Sequence, residues 1–153
     1  MVTLGDALPA GRLTASDGTV IDLATLAGNP VVLYFYPKAD TPGCTNEAKD
    51  FSALSPAFAA AGTKVIGISR DTPAKLAKFA AKYGLSVLLA ADEDGSVTET
   101  FGVWVEKAMY GKTYMGIERA TFLFDATGRL VNHWPKVKVK GHADEVLAAV
   151  QAL

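Results

Sequence analysis

The strongest strand signal in this chain is the run Val31-Val32-Leu33-Tyr34-Phe35-Tyr36, and the predicted fold is built around it. The run consists of β-branched, aromatic and other apolar residues, with no alternation between apolar and polar positions. Such a pattern is typical of a strand that is buried on both faces. Pro37 ends the run, because proline has no N–H to donate within a central sheet. We therefore expect a central strand over 31–36 that is covered on both sides.

A helix is predicted shortly after this strand. Thr41 is a suitable N-cap, and Pro42 stands at the first helical position, where its missing N–H costs nothing. Apolar residues then recur near helical spacing over 48–58. Pro56 lies inside that pattern, so we expect the helix to kink or restart there.

The rest of the chain continues the alternation of strands and helices. The turn Ser16-Asp17-Gly18-Thr19 predicts an N-terminal β-hairpin, and residues 102–117 show no clear period and are predicted to form a long loop. The other predicted elements are strands at 64–69, 86–90, 120–124 and 130–134, helices at 73–83 and 144–153, and a helical turn at 96–101.

This order of elements predicts an α/β fold. Helices between apolar strands in the first half imply parallel crossovers, and the hairpin formed by 120–124 and 130–134 adds an antiparallel edge. The result is a mixed central sheet with helices on both faces, which is compatible with a thioredoxin-like architecture. A length of 153 residues suits a single domain, and we expect one over 1–153.

Composition excludes several classes of function. The 15 basic and 16 acidic residues give a net charge of -1, which argues against a dedicated nucleic-acid binder. No apolar run approaches the roughly 20 residues of a membrane helix, and the first residues do not resemble a secretory signal. We therefore expect a cytoplasmic protein that binds neither nucleic acid nor membrane.

Cys44 is the only cysteine, so the chain can form neither an internal disulfide nor a multi-cysteine zinc site. A lone cysteine is most often a small buried apolar residue. Cys44, however, lies in the first turn of a predicted helix, where free N–H groups and the helix dipole favour a thiolate. Gly43 leaves space beside it for a small substrate. His133 and His142 form no convincing metal site, and neither is expected to act as a base for the thiol, so no cofactor or metal is predicted.

Two segments resemble the Q-type peroxiredoxins, also called bacterioferritin comigratory proteins. The first is 34–48, and the second is 101–119, which includes Phe101-Gly102-Val103-Trp104 and Gly116-Ile117-Glu118-Arg119. The proline, threonine and peroxidatic cysteine of the family, in the pattern P-x-x-x-T-x-x-C, fall on Pro37, Thr41 and Cys44, and the active-site arginine falls on Arg119. The resemblance covers nearly the whole chain.

The resemblance implies a thiol-dependent peroxidase that reduces hydrogen peroxide and organic hydroperoxides through a sulfenic acid at Cys44. The implied roles are peroxide binding for Thr41 and Arg119, shielding of the sulfur for Pro37, N–H donation for Gly43, and support of the arginine for Glu47. Other interpretations stay open. Thr41 is also explained as an N-cap, Arg119 as a surface residue, and Glu47 as a partner of the helix dipole.

The chain departs from the family pattern in having no resolving cysteine. Many relatives carry one five residues after the peroxidatic cysteine, where this chain has Lys49, and others carry one in the next helix, where 78–81 contain no thiol. We therefore expect a one-cysteine mechanism in which an external thiol, such as thioredoxin or glutaredoxin with glutathione, reduces Cys44. A monomer and a weak homodimer are both compatible with the sequence. The alternative is a thioredoxin-fold redox sensor or interaction module that signals through oxidation of Cys44.

Overall fold

The structure is a computed structural model that describes residues 1–153. The chain is arranged around a seven-stranded sheet. The strands are β1 (Arg12–Ala15), β2 (Val20–Asp22), β3 (Val31–Phe35), β4 (Lys64–Ser69), β5 (Leu88–Ala91), β6 (Trp104–Met109), β7 (Lys112–Ile117), β8 (Ala120–Phe124) and β9 (Leu130–Trp134). The helices are α1 (Pro42–Ala53), α2 (Ser55–Ala60), α3 (Pro73–Tyr83), α4 (Ser96–Thr100) and α5 (His142–Gln151), with a 3₁₀ turn at Leu23–Leu26.

The sheet is mixed, as predicted. Its strand order is β2-β1-β5-β4-β3-β8-β9, with β6 and β7 in a separate two-stranded ribbon. Strands β3, β4 and β5 are parallel neighbours, whereas β8 pairs antiparallel with β3, and β1 antiparallel with β5. All five residues of β3 are buried, which confirms the interpretation of the unalternating run. The N-terminal hairpin of β1 and β2 is also confirmed.

Helices cover both faces of the sheet, but unequally. The face that carries Tyr34 packs against α1, α2, α3 and α5 in one buried cluster. The face that carries Phe35 packs against α4, the 3₁₀ turn and the base of the β6–β7 ribbon. The two crossovers from β3 to β4 and from β4 to β5 move across the sheet in the same direction. Because both are right-handed, they place α1, α2 and α3 on the same face.

The prediction of a long loop over 102–117 is wrong. This segment forms the β6–β7 ribbon, in which Trp104 pairs with Ile117 and Met109 pairs with Lys112. Tyr110 and Gly111 make the two-residue turn, with φ of 51° and 77°, the combination that a type I′ hairpin turn requires. Most ribbon residues are exposed on both faces, so burial imposes no alternation on the sequence.

Several element boundaries also differ from the sequence prediction by one or two residues. Helix α5 begins at His142 rather than at 144, and β5 begins at Leu88 rather than at 86. The expected restart at Pro56 is confirmed, because α1 ends at Ala53 and α2 begins at Ser55.

Candidate active site

Cys44 lies in the first turn of α1, close to the carboxyl end of the buried strand β3. Its side chain is only 2% exposed and packs in the cluster that includes Tyr34 and Phe51. In the first turn of a helix, backbone N–H groups have no intrahelical acceptor, and the positive end of the helix dipole is near. The sulfur is therefore held in a small, largely closed site beside fixed positive charge.

Arg119 contacts this sulfur from the other half of the chain. Its Nη2 lies 3.3 Å from Cys44 Sγ, although 75 residues separate the two in sequence. The contact follows from sheet register, because Ala120 of β8 pairs with Phe35 at the end of β3. The residue just before β8 is therefore brought to the loop that leads into α1.

Glu47 binds the other side of the same guanidinium. Arg119 Nη1 donates to Glu47 Oε1 at 2.7 Å, and the carboxyl side chain is 1% exposed. Glu47 stands one turn after Cys44 on α1, so the two side chains share a face of the helix. Burial raises the pKa of Glu47 to about 7, although the charge of Arg119 acts in the opposite direction. Its Oε2 is buried without a partner.

Gly43 and Thr41 border the sulfur on the loop side. A Cβ at Gly43 would lie 3.3 Å from Arg119 Nη2, so any side chain there would crowd the guanidinium. Thr41 occupies the N-cap position of α1, but its hydroxyl makes no capping bond. It donates instead to the carbonyl of Lys38 at 2.8 Å. The expected capping hydrogen bond is therefore absent, and the Thr41 hydroxyl is held by the loop.

Pro37 is exposed at the start of this loop. It lines a cleft of about 410 Å³ between the loop and the β6–β7 ribbon. Apolar side chains in the same cleft include Trp104, Met115 and Ile117. The structure thus brings Cys44, Arg119, Glu47, Gly43, Thr41 and Pro37 to one end of the sheet.

Comparison with known proteins identifies the family. The profile of the AhpC/TSA family matches residues 4–133. The chain belongs to this family. Peroxiredoxin Bcp of Xanthomonas campestris pv. campestris is 50% identical over 140 residues, which cover 92% of this chain and 88% of that protein. Peroxiredoxin Bcp of Bacillus subtilis is 43% identical over 150 residues, covering 98% of this chain and 96% of that protein.

The solved structures that resemble this chain lead to the same family. A variant of Xylella fastidiosa PrxQ superposes with a TM-score of 0.94 at 39% identity, covering 99% of this chain and 97% of that one. The Xanthomonas campestris bacterioferritin comigratory protein, studied for its alkyl peroxide reduction activity, gives 0.89 at 47% identity, covering 96% and 98%. The chain is a Q-type peroxiredoxin with a thioredoxin-like fold and without a resolving cysteine. Its activity is that of a thiol-dependent peroxidase.

Asp71 is a part of this peroxiredoxin site that sequence reasoning missed. One of its carboxylate oxygens accepts from the backbone N–H of Ala39 at 2.8 Å and from the hydroxyl of Ser69 at 2.8 Å. It therefore ties the loop before α1 to the end of β4. The available signal was its place just after a buried strand, because the carboxyl ends of parallel strands β3 and β4 meet at one edge of the sheet.

Lys107 is a second residue that sequence reasoning missed. Its Nζ donates to the carbonyl of Ile117 across the ribbon. Partial burial lowers the pKa of Lys107, and the positive charge of Arg119 lowers it further. Its ammonium group therefore adds positive charge to the surroundings of Arg119.

The two histidines have packing roles, and neither is hydrogen-bonded to the thiol. His142 is 4% exposed, and its Nε2 shares a 2.8 Å hydrogen bond with Thr121 Oγ1. Burial lowers the pKa of His142 to about 4. His133 stacks on Phe122 with ring centroids 4.2 Å apart.

No helix of the structure combines the length and the apolar composition needed to cross a bilayer. No group of three or more histidine, cysteine, aspartate or glutamate side chains is arranged to hold a metal ion.

Proposed function

We propose that this peroxiredoxin reduces hydroperoxides by a one-cysteine cycle that begins at Cys44. The observation that carries the proposal is the 3.3 Å contact between Arg119 Nη2 and Cys44 Sγ at the start of α1. The thiolate attacks the terminal oxygen of the hydroperoxide, and the O–O bond breaks. Cys44 is oxidised to the sulfenic acid, and the departing oxygen takes a proton and leaves as water or an alcohol.

The neighbouring groups have distinct roles in this step. Arg119 stabilises the thiolate and the charge that develops on the leaving oxygen, since its fork of donors faces the sulfur. The Thr41 hydroxyl, which donates to the loop in the free protein, turns to bind a peroxide oxygen. Backbone N–H groups of Gly43 and Cys44 supply further donors. Pro37 limits the access of water, and Glu47 holds Arg119 in place.

An external thiol completes the cycle, because Cys44 is the only cysteine. The thiol sulfur attacks the Cys44 sulfur, an S–S bond forms, and the hydroxyl group leaves as water. A second thiol then attacks the mixed disulfide, which returns Cys44 to the thiol and releases an oxidised disulfide. Thioredoxin and glutaredoxin with glutathione are the candidate reductants. Both belong to the reducing cytoplasm, where we place this protein as a monomer or weak homodimer.

Organic hydroperoxides are proposed as substrates beside hydrogen peroxide. The Xanthomonas relative was studied for alkyl peroxide reduction. In this chain, the cleft of about 410 Å³, where Pro37 and Trp104 lie beside charged side chains such as Lys38, is large enough for an alkyl group. The cleft opens beside the loop that leads to Cys44.

Steady-state peroxide consumption with excess dithiothreitol tests the proposal. We expect turnover of hydrogen peroxide and of cumene hydroperoxide, its abolition in Cys44→Ser, and a strong decrease in Arg119→Ala. Intact mass after stoichiometric peroxide should show one added oxygen. Oxidation that is stoichiometric and no faster than that of free cysteine would instead support a redox sensor that signals through Cys44.

A further inference from the structure

Three lysines beside the Cys44 loop have no acidic partner. Lys38, Lys75 and Lys78 are exposed, and none of them belongs to an ion pair of the structure. They line a cavity of about 400 Å³ between the loop before α1 and the exposed side of α3. The full lining, called the lysine cavity below, is Lys38, Ala39, Asp40, Asp71, Lys75, Lys78, Phe79 and Lys82.

The lysine cavity carries an excess of two positive charges, from four lysines and two aspartates. Both aspartates are already engaged within the protein. Asp40 pairs with Lys82 at 2.9 Å, and Asp71 accepts hydrogen bonds from the loop and from β4. Lys75, Lys78 and Lys82 recur at helical spacing and so project from one side of α3. An anionic ligand would therefore meet Lys38, Lys75 and Lys78, which no internal carboxylate neutralises.

The lysine cavity adjoins the layer that buries the reactive sulfur. Phe79 and Ala39 line the cavity, and both pack against the buried cluster that contains Cys44. The loop segment that includes Lys38 runs from the cavity wall to the first turn of α1, where the Thr41 hydroxyl fastens it. A molecule bound by the lysines would therefore lie beside the loop that leads to Cys44 and against the buried cluster that contains its side chain.

We propose that the lysine cavity binds a low-molecular-weight thiol that carries carboxylates, with glutathione as the probe of this class, and delivers it to oxidised Cys44. The inference rests on the proposed one-cysteine cycle, which needs an external thiol. The ligand sulfur attacks the Cys44 sulfur, the S–S bond forms and the S–O bond breaks. The hydroxyl leaves with the thiol proton as water, and a second ligand molecule then reduces the mixed disulfide.

Size and charge favour a small ligand over a protein reductant. The volume of about 400 Å³ lies in the range of small-molecule sites. The two carboxylates of glutathione outweigh its single ammonium group, so the ligand is a net anion that complements the positive excess of the lysine cavity. In addition, the closed first turn of α1 buries the sulfur to 2% exposure. A flexible small thiol reaches such a site with less opening of the loop than a folded protein requires.

The double variant Lys75→Gln/Lys78→Gln tests this inference, with Lys64→Gln/Lys112→Gln as the matched control. Lys64 and Lys112 are exposed and lie outside the lysine cavity. Their substitution by glutamine removes the same amount of positive charge as the test variant does. Cys44 is first converted to the sulfenic acid with stoichiometric peroxide. Stopped-flow kinetics and intact mass then follow its reaction with glutathione and, separately, with uncharged 2-mercaptoethanol.

We expect the rate constant for glutathione to fall roughly tenfold in Lys75→Gln/Lys78→Gln, because two favourable charge interactions are lost. The rate constant for 2-mercaptoethanol should not change, and the control variant should behave as wild type with both thiols. Added salt should slow the glutathione reaction of wild type more than that of Lys75→Gln/Lys78→Gln.

Several outcomes would overturn the inference. Equal glutathione rates in the two double variants would show that the lysine cavity does not bind the thiol. An equal decrease with both thiols would show that the lysines act on Cys44 itself. Reaction of wild type with 2-mercaptoethanol but not glutathione would overturn this inference and leave the cycle intact. Failure of peroxide to oxidise Cys44 would overturn the cycle and the inference together. In a parallel reaction with thioredoxin as the reductant, a decrease confined to thioredoxin would overturn the inference and make the lysines a protein-docking surface instead.

Discussion

Glu47 and Arg119 form the most buried ion pair of the molecule, with 2.7 Å between Oε1 and Nη1. The same guanidinium contacts Cys44 through Nη2. Its charge is therefore shared between a carboxyl group and a sulfur, both almost fully buried. Because Glu47 Oε2 has no hydrogen-bond partner, Arg119 compensates only part of the cost of burying a carboxylate.

Glu47 makes stability depend on pH. The pKa of Glu47 is raised from about 4.5 in the unfolded chain to about 7 in the folded protein. Protonation of Glu47 therefore contributes stability that is complete below about pH 4.5 and is lost as the pH rises through about 7. The loss is about 3 kcal/mol over this window. Glu47→Gln replaces this carboxyl group with an amide, which is neutral at every pH. We therefore expect the variant to gain stability relative to wild type between pH 5 and pH 8, measured by urea unfolding.

The opposite trend would contradict this account of Glu47. If Glu47→Gln lost stability relative to wild type as pH rises, the carboxylate would be the favoured form and Arg119 would outweigh burial. Glu47→Ala provides a second measurement, because it leaves the Arg119 charge without its partner. We expect that variant to lose about 3 kcal/mol and most of its peroxidase activity.

His142 is predicted to give stability the opposite pH dependence, with stability lost as the pH falls. Its folded pKa is lowered to about 4, so its contribution is present above the unfolded value of about 6.5 and is lost as pH falls through about 4. Protonating the ring also places a charge among Phe51 and Trp134. We expect wild type to lose about 3 kcal/mol between pH 6.5 and pH 4 that His142→Gln does not lose. Identical acid profiles of the two proteins would refute the prediction.

Local patterns in the sequence predicted most of the framework of this fold. The strand Val31–Phe35 and the helix beginning at Pro42 follow from unalternating apolar residues and from proline at the first helical position. These signals lie within a few residues of one another, so no knowledge of distant contacts is needed. The β6–β7 ribbon was missed because its faces are exposed, although Tyr110-Gly111 carried a turn signal.

The site itself depends on contacts that local patterns do not encode. Cys44 was found from its place in a helix N-terminus, but its contact with Arg119 spans 75 residues and depends on the pairing of β3 with β8. Only the resemblance to Q-type peroxiredoxins pointed to Arg119. Asp71 was missed for the same reason, because its hydrogen bond to the Ala39 N–H joins two loops at neighbouring strand ends.

Gly43→Ala should move Arg119 without destabilising α1, so its effect on the rate of Cys44 oxidation can be distinguished from an effect on stability. Alanine is a better helix former than glycine by about 1 kcal/mol, so unfolding should be unchanged or slightly harder. The new Cβ would lie 3.3 Å from Arg119 Nη2 and displace it from Cys44. We expect a several-fold fall in the rate of Cys44 oxidation by peroxide. Asn46→Ala, at an exposed position in the same turn, is the control and should leave the rate unchanged. An unchanged rate in Gly43→Ala would show that Arg119 tolerates the crowding.

Ala80→Cys should give this peroxiredoxin the resolving thiol that it lacks. Ala80 lies on α3 and packs against the buried cluster that contains Cys44, whereas the neighbouring Ala81 is exposed. When the first turn of α1 opens, a thiol at position 80 should attack the sulfenic acid and form an intramolecular disulfide. Excess peroxide should then oxidise Cys44 to the sulfinic acid more slowly than in wild type.

Intact mass and non-reducing peptide mapping distinguish the products of this experiment. The disulfide removes hydrogen from the chain, whereas sulfenic and sulfinic acids add oxygen. Ala81→Cys is the matched control, since its thiol points away from the cluster and should leave Cys44 as sensitive to peroxide as in wild type. If the two variants form the disulfide equally, α3 must move as freely as α1, and the packing of Ala80 would not direct the reaction.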